Sequence, residues 1–318
     1  MIDLIKMRKT GLQNINEIIE KNRLSINYRG NVIFYDNLKT KDIIDGFYIR
    51  VENGNPSLIR IECNLQKYWS GLNTGKFTNF GLFTFSESQQ AINALSIQTG
   101  LNLNEFRVTY YEIGLNLNVK KDCRAYMDKM KSIGTIDKRK ELLINPRYKD
   151  KRVIISEFYE EIKKVFKVYD KNFEMVRKRS KHKPLYINTL RIEIIQKRVE
   201  RLNVSNLFDF ETIKKLSIQF FNNWRTVQFE KNIETPKGTH ESKVLIIKDL
   251  LTIGRKETLE KALNEFKTGI ITERRYRTVR EFIQNDWELF KNEIKLIQSE
   301  EEKEFKSLIN TASVLFLN

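Results

Sequence analysis

Four stretches of this chain alternate apolar and polar residues so regularly that one buried face and one polar face are forced on any strands they form. Successive strand side chains point to opposite sides of a sheet. In Leu58–Asn64, Ile59, Ile61 and Cys63 point one way, and Arg60, Glu62 and Asn64 the other. In Val108–Asn118, Thr109, Tyr111, Ile113, Leu115 and Leu117 oppose Glu112, Gly114, Asn116 and Asn118. In Val165–Lys171, Phe166 and Val168 oppose Lys167, Tyr169 and Lys171. In Leu190–Ile195, Leu190, Ile192 and Ile194 oppose Arg191 and Glu193. If these strands share a sheet, Glu62, Glu112, Tyr169, Lys171, Arg191 and Glu193 lie on one face. Glutamates meeting there repel unless a cation or a nearby Lys or Arg compensates. A hard ion such as Mg²⁺ or Mn²⁺ takes oxygen ligands and polarises a phosphate. The same pattern also suits an ordinary solvated face with cross-strand ion pairs.

Other segments fill out the same picture. Residues 2–8, the pair 24–28 and 32–35, and the pair 47–52 and 58–65 read as strands, the pairs as hairpins. Ser86–Thr99 has helical spacing with Gly100 as its stop, and Cys123–Ile133 is predicted helical. Residues 152–158 and 185–195 are further strands. From about Val204 the pattern becomes helical: 208–223, 242–253, 256–266, 272–285 and 288–310. Gly254 between two of these suggests a helix–turn–helix. The expected fold class is therefore α+β, a mainly antiparallel sheet with flanking helices over 1–204, followed by an all-helical domain over 205–318.

Charge constrains the partner. Lys and Arg number 57 against 41 Asp and Glu, a net +16. Residues 1–118 carry only +2 of this and the rest +14. Such a balance suits a polyanion, DNA above all. An AT-rich genome that favours lysine codons is the plain alternative. Arg177, Lys178, Arg179, Lys181 and Lys183 sit between two motif strands as a candidate DNA-backbone loop, and Arg274, Arg275 and Arg277 form a second basic cluster. The tryptophans Trp69, Trp224 and Trp287 read as packing residues. An RNA reader would want exposed aromatics on the sheet face, where carboxylates are expected instead. Two cysteines, Cys63 and Cys123, fit a reducing compartment. The absence of a long apolar run and of a signal-like start points to a cytoplasmic protein with no membrane association.

Two linked segments add a resemblance. Phe166-Lys167-Val168-Tyr169-Asp170-Lys171-Asn172-Phe173-Glu174 is followed some twenty residues later by Leu190-Arg191-Ile192-Glu193-Ile194. Together they resemble the hydrophobic-Lys/Arg-x-Tyr-Asp-Lys-x-x-Glu … Arg-x-Glu signature of rolling-circle replication initiators. That family includes small-plasmid Rep proteins and the gene II/X proteins of filamentous phages. The strand 108–116 resembles the family's Arg-x-Asp-x-Ala-x-x-Asp strand, and Ile2-Asp3-Leu4-Ile5 and residues 64–73 resemble other family stretches.

The resemblance implies a fold related to the His-hydrophobic-His nucleases. It implies a tyrosine that attacks one strand at the origin, keeps the 5′ phosphate and frees a 3′ hydroxyl for synthesis. It implies Mg²⁺ or Mn²⁺, with single- and double-stranded origin DNA as partner. A host helicase or polymerase and a homodimeric state are compatible with it. There is no His-x-His pair, since the two histidines are His182 and His240 in separate polar stretches. Metal binding then falls to carboxylates: Glu112 and Glu193, with Glu62. Glu112 stands for the family's aspartate, Tyr110 for its arginine and Asn116 for its second aspartate. The attacking phenol is Tyr159 or Tyr169, with Tyr148 and Tyr186 also open. Lys171 binds phosphate or lowers the phenol's pKa. Glu174 and Arg191 support the site, and Asp170 does so or serves as a turn residue. The rival reading is an origin-binding initiator without chemistry. A tyrosine hydroxyl within a few ångströms of clustered carboxylates distinguishes the enzyme from it.

Overall fold

The computed structural model describes residues 2–54, 56–135, 139–144, 153–158, 164–177, 187–230 and 232–317. Its centre is one ten-stranded sheet. In chain order its strands are β1 (Ile2–Thr10), β2 (Ser25–Arg29), β3 (Val32–Asp36), β4 (Phe47–Glu52) and β5 (Leu58–Asn64). Then come β6 (Arg107–Asn118), β7 (Leu143–Ile144), β8 (Val153–Phe158), β9 (Lys164–Asp170) and β10 (Thr189–Lys197). The spatial order is β2-β3-β4-β5-β1-β6-β10-β9-β8-β7, and neighbours pair antiparallel throughout. The expected class is what the chain adopts: a large antiparallel sheet flanked by helices, with a helical region after it. The N-terminal strand lies mid-sheet between β5 and β6, so residues distant in sequence meet on adjacent strands.

After a seven-residue helix at Ile15–Lys21, the helices that matter here are α1 (Leu65–Thr74), α2 (Phe85–Thr99), α3 (Lys171–Arg177) and α4 (Phe210–Arg225), with short helical turns between. They are followed by α5 (Glu241–Thr252), α6 (Arg255–Lys267), α7 (Glu273–Glu281) and α8 (Glu300–Leu317). Local chemistry sets their ends. Thr84 and Glu87 form a reciprocal capping box at the start of α2, and Gly100 ends it at φ +72°. Asn64 caps α1 by accepting from the Lys67 N–H, which ends β5 and begins a helix in consecutive residues.

The apolar sheet face is closed by two helices far apart in sequence, α4 and α8. Phe166 and Val168 of β9 and Ile192 and Ile194 of β10 join Phe220, Phe221 and Trp224 of α4 and Phe305 and Ile309 of α8 in one core. The Phe166 and Trp224 rings meet edge to face at 5.8 Å. Trp69 packs at the edge of this core, and Trp287 against a second, smaller cluster around Ile247, Val279 and Ile283. That cluster is drawn from 233–294 alone. We keep the division at residue 204 as a proposal for where the accessory region starts, noting that α4 and α8 return to the sheet.

Two expected helices are corrected. Cys123–Ile133 is helical only to Met127, and Met130–Ile133 is a strand pairing with Gln228–Phe229 and Lys140–Glu141. Its apolar spacing looked helical, but the pairing partners lie elsewhere in the chain. The expected 288–310 helix is broken: Lys295–Ile297 pairs with Asn232–Glu234, and α8 starts afresh at Glu300. No helix among the described residues is long and apolar enough to cross a membrane.

Candidate metal centre

Strand register places the polar side chains. On β10, Glu193 lies between Gly114 of β6 and Lys167 of β9, and Arg191 between Asn116 and Tyr169. On β6, Glu112 opposes Ile195 on one side and Leu4 on the other. Ile2 opposes Ile113 and Leu4 opposes Glu112, so Asp3 is an extra residue at a β-bulge. A bulge turns a side chain out of strict alternation. Here it adds Asp3 to the polar face, and carboxylate oxygens of Asp3, Glu112 and Glu193 all lie within 4.8 Å of one another.

The centre is buried and charged. Asp3, Arg191 and Glu193 are each under 4% exposed. The Arg191 guanidinium donates to Asp3 Oδ2 at 2.5 Å, Glu193 Oε1 at 2.7 Å and Asn116 Oδ1 at 2.9 Å. Lys167 Nζ is 3.1 Å from Glu193 Oε2, and the Tyr169 hydroxyl donates to Glu193 Oε1 at 2.8 Å. The Tyr110 hydroxyl donates to Glu112 Oε1. Gly114 leaves room for this packing: a Cβ there would stand 2.4 Å from an Arg191 terminal nitrogen.

Electrostatics divide the carboxylates. Burial alone would raise Glu193, but Lys167 and Arg191 hold it well below the usual carboxylate range. Burial and the charge of Glu193 push Glu112 up to about 7, against the Tyr110 hydrogen bond and Lys167. Burial and Glu193 push Tyr169 up, and burial and Glu112 push Tyr110 up. Three crowded acids thus face two fixed cations, and one acid carries the residual repulsion.

The residues fit a hard divalent ion. The donors are carboxylate oxygens, the set that Mg²⁺ and Mn²⁺ prefer. Asp3 Oδ1 is buried with no hydrogen-bond partner among the described residues, an atom that costs free energy unless something binds it.

Several expected site residues sit elsewhere. Glu62 shares the face but not the cluster: it pairs with Lys6 at 2.7 Å, one strand farther out. Lys171 does not continue β9 but begins α3, buried and 2.6 Å from Glu174. Asp170 accepts the Phe173 N–H and so starts that helix, as a turn residue would. Arg177 ends α3. Tyr148, Tyr159, Lys178, Arg179, Lys181, Lys183 and Tyr186 lie outside the described residues. Arg274 is exposed, Arg275 donates to Ser242 O at 3.0 Å and Arg277 pairs with Glu273 at 2.5 Å. Within the helix–turn–helix candidate, Lys256 and Lys261 of α6 pair with Glu260 and Asp249.

Lys171 yields a pH signature. Burial and Arg191 bring its amine down to about 8, against the pull of Glu174. An unfolded lysine titrates at about 10.4. Between those values the unfolded chain holds more protons, so stability rises with pH there. Urea unfolding of the protein and of Lys171→Met should diverge, with the native chain gaining relative stability from about pH 8 to 10. A constant difference across that window would refute the buried amine.

No family model matches the chain, and no curated protein matches it. Among solved structures, a match is the rolling circle replication initiator protein from Geobacillus stearothermophilus, at 11% identity and a TM-score of 0.39. The match covers 77% of this chain and 89% of that one. A likeness this distant assigns no residue a role.

Proposed function

We propose that the protein initiates DNA replication by nicking one strand at an origin and keeping the 5′ end on a tyrosine. The observation that carries this reading is the buried Asp3–Glu112–Glu193 cluster with two tyrosine hydroxyls bonded to it. A phenol is a weak nucleophile, and a phosphodiester repels it, so the site must neutralise charge. Asp3, Glu112 and Glu193 would hold Mg²⁺ or Mn²⁺, which when bound withdraws charge from the phosphate. Lys167 and Lys171 add positive charge on the same side of the sheet. The sequence motifs around Tyr169 and Glu193 support the same class. Origin DNA, single- and double-stranded, is the proposed substrate. The segment 177–183 and Arg274, Arg275 and Arg277 are proposed backbone contacts, and a host helicase or polymerase and a second copy are proposed partners in a cytoplasmic setting.

Calorimetric titration with MnCl₂ and MgCl₂ is the first test. One site is expected, with Asp3→Asn weakening it by about tenfold or more. With either ion, supercoiled DNA carrying the origin should yield nicked circles bound to protein, and Glu193→Gln should abolish them. A second reading rests on Arg191, which neutralises two of the three acids from within. Under that reading the protein binds and recruits without cutting. Tight DNA binding with no nicking under both ions would select it.

A further inference from the structure

We infer that Tyr110 is the attacking phenol. The inference rests on the nicking reading above and specifies its nucleophile. Among the described residues, the hydroxyls that hydrogen-bond a carboxylate of the cluster belong to Tyr110 and Tyr169. Other described tyrosines point elsewhere: Tyr48 to Asp36, Tyr68 to Gln98 and Tyr126 to Glu304. Tyr111, beside Tyr110, faces the apolar core.

Access separates the two. Tyr169 is 3% exposed, and Lys167 Nζ covers its ring at 4.2 Å from the centroid. Its hydroxyl already serves Glu193, which Arg191 and Lys167 also hold. A phosphodiester could reach it only by dismantling that network. Tyr110 is half-buried and lies near the start of β6. Its strand neighbour Lys6 puts an ammonium 5.2 Å from its ring centroid, and Lys6 in turn bonds Glu62. Glu62 lines a cleft of about 300 Å³ with Leu4, Tyr48, Lys67 and Phe77, on the same face of the sheet. Tyr110 does not line that cleft but sits two strands from Glu62, opposite Lys6 of β1 on one side and Lys197 of β10 on the other, so a phosphodiester at Tyr110 would meet a lysine on each neighbouring strand.

The step balances with the chain's own groups and solvent water. The Tyr110 oxygen forms a bond to phosphorus while the bond from phosphorus to the 3′ oxygen breaks. The bonding electron pair leaves on that oxygen. The phenol proton passes to Glu112 Oε1, its hydrogen-bond acceptor, and the departing oxygen takes a proton from solvent water to become the 3′ hydroxyl. No oxidant or further reactant is needed.

The test uses the full chain, Mn²⁺ and a pool of random 40-nucleotide single strands labelled at the 3′ end. A 5′-phosphotyrosine adduct makes the protein fluorescent on a denaturing gel. Fragmentation of the nucleotidyl peptide 108–120 should place the adduct on Tyr110 rather than Tyr111. Tyr110→Phe should lose the adduct at least a hundredfold while keeping its thermal unfolding midpoint, and Tyr126→Phe, whose hydroxyl meets Glu304 away from the cluster, should retain adduct formation. An adduct on another tyrosine, Tyr159 included, with Tyr110→Phe still active, overturns the inference and leaves the nicking reading intact. No adduct from the native protein on this pool, together with no nicked circles from supercoiled DNA carrying the origin, overturns both.

Discussion

Replacing Arg191 with methionine is expected to destabilise the protein by about 3–5 kcal/mol, the cost of leaving a buried charge without its partner. Arg191 is 1% exposed and touches two acids of the cluster and Asn116. Methionine keeps much of the length and removes the charge. Asp3 and Glu193 would then face each other with Lys167 as the nearby compensating cation. Urea unfolding without divalent ions should show the loss as a lower midpoint with an unchanged slope. A loss under about 1 kcal/mol would mean that the guanidinium does not hold these acids. The converse variant separates stability from purpose. Substituting Asp3, Arg191 and Glu193 together by apolar residues should recover most of the loss, since well-packed apolar groups often equal or exceed a buried ion network. On the proposed reading, the network persists because it presents carboxylates to an ion, and Mn²⁺ should restore Arg191→Met more than it stabilises the native chain.

Much of this site was legible because a sheet transmits sequence directly into faces. The alternation in 108–118, 165–169 and 190–195 brought Glu112, Tyr169, Arg191 and Glu193 to one side, and the register joins them as neighbours. What alternation could not give was Asp3. Counted in steps of two, Asp3 falls with Ile5 and Met7, both buried in the core. Only the bulge between Ile2 and Leu4 turns it to the other face. A charged residue inside an apolar strand start was the available signal. Glu62 failed for the opposite reason. Its face was right, but lateral position across a sheet depends on strand order, and Lys6 one strand inward takes its charge. Lys171 was placed by extending β9 one residue too far, past the aspartate that caps the next helix. The two corrected helices share a cause: short apolar runs fit either period, and each is paired with a strand that lies far away in sequence.

Gly114 offers the sharper probe, because it touches the site without supplying any charge. Gly114→Ala should lower stability by about 1–3 kcal/mol, the usual cost of overpacking, and abolish nicking on the proposed reading. The reason is local. The new Cβ would meet an Arg191 terminal nitrogen at 2.4 Å and its central carbon at 2.9 Å. Against an exposed arginine such a clash would be cheap, since the side chain would swing away. Arg191 is held by Asp3, Glu193 and Asn116 at once, so any retreat breaks hydrogen bonds in a buried place. Steric strain is thereby converted into electrostatic loss. A double-mutant cycle with Arg191→Lys resolves the two. Lysine ends short of the guanidinium's reach, so alanine at 114 should cost markedly less in that background, giving a coupling of about 1 kcal/mol or more. Additive losses would show that the glycine is indifferent to Arg191, and the close packing of β6 against β10 would then need another explanation.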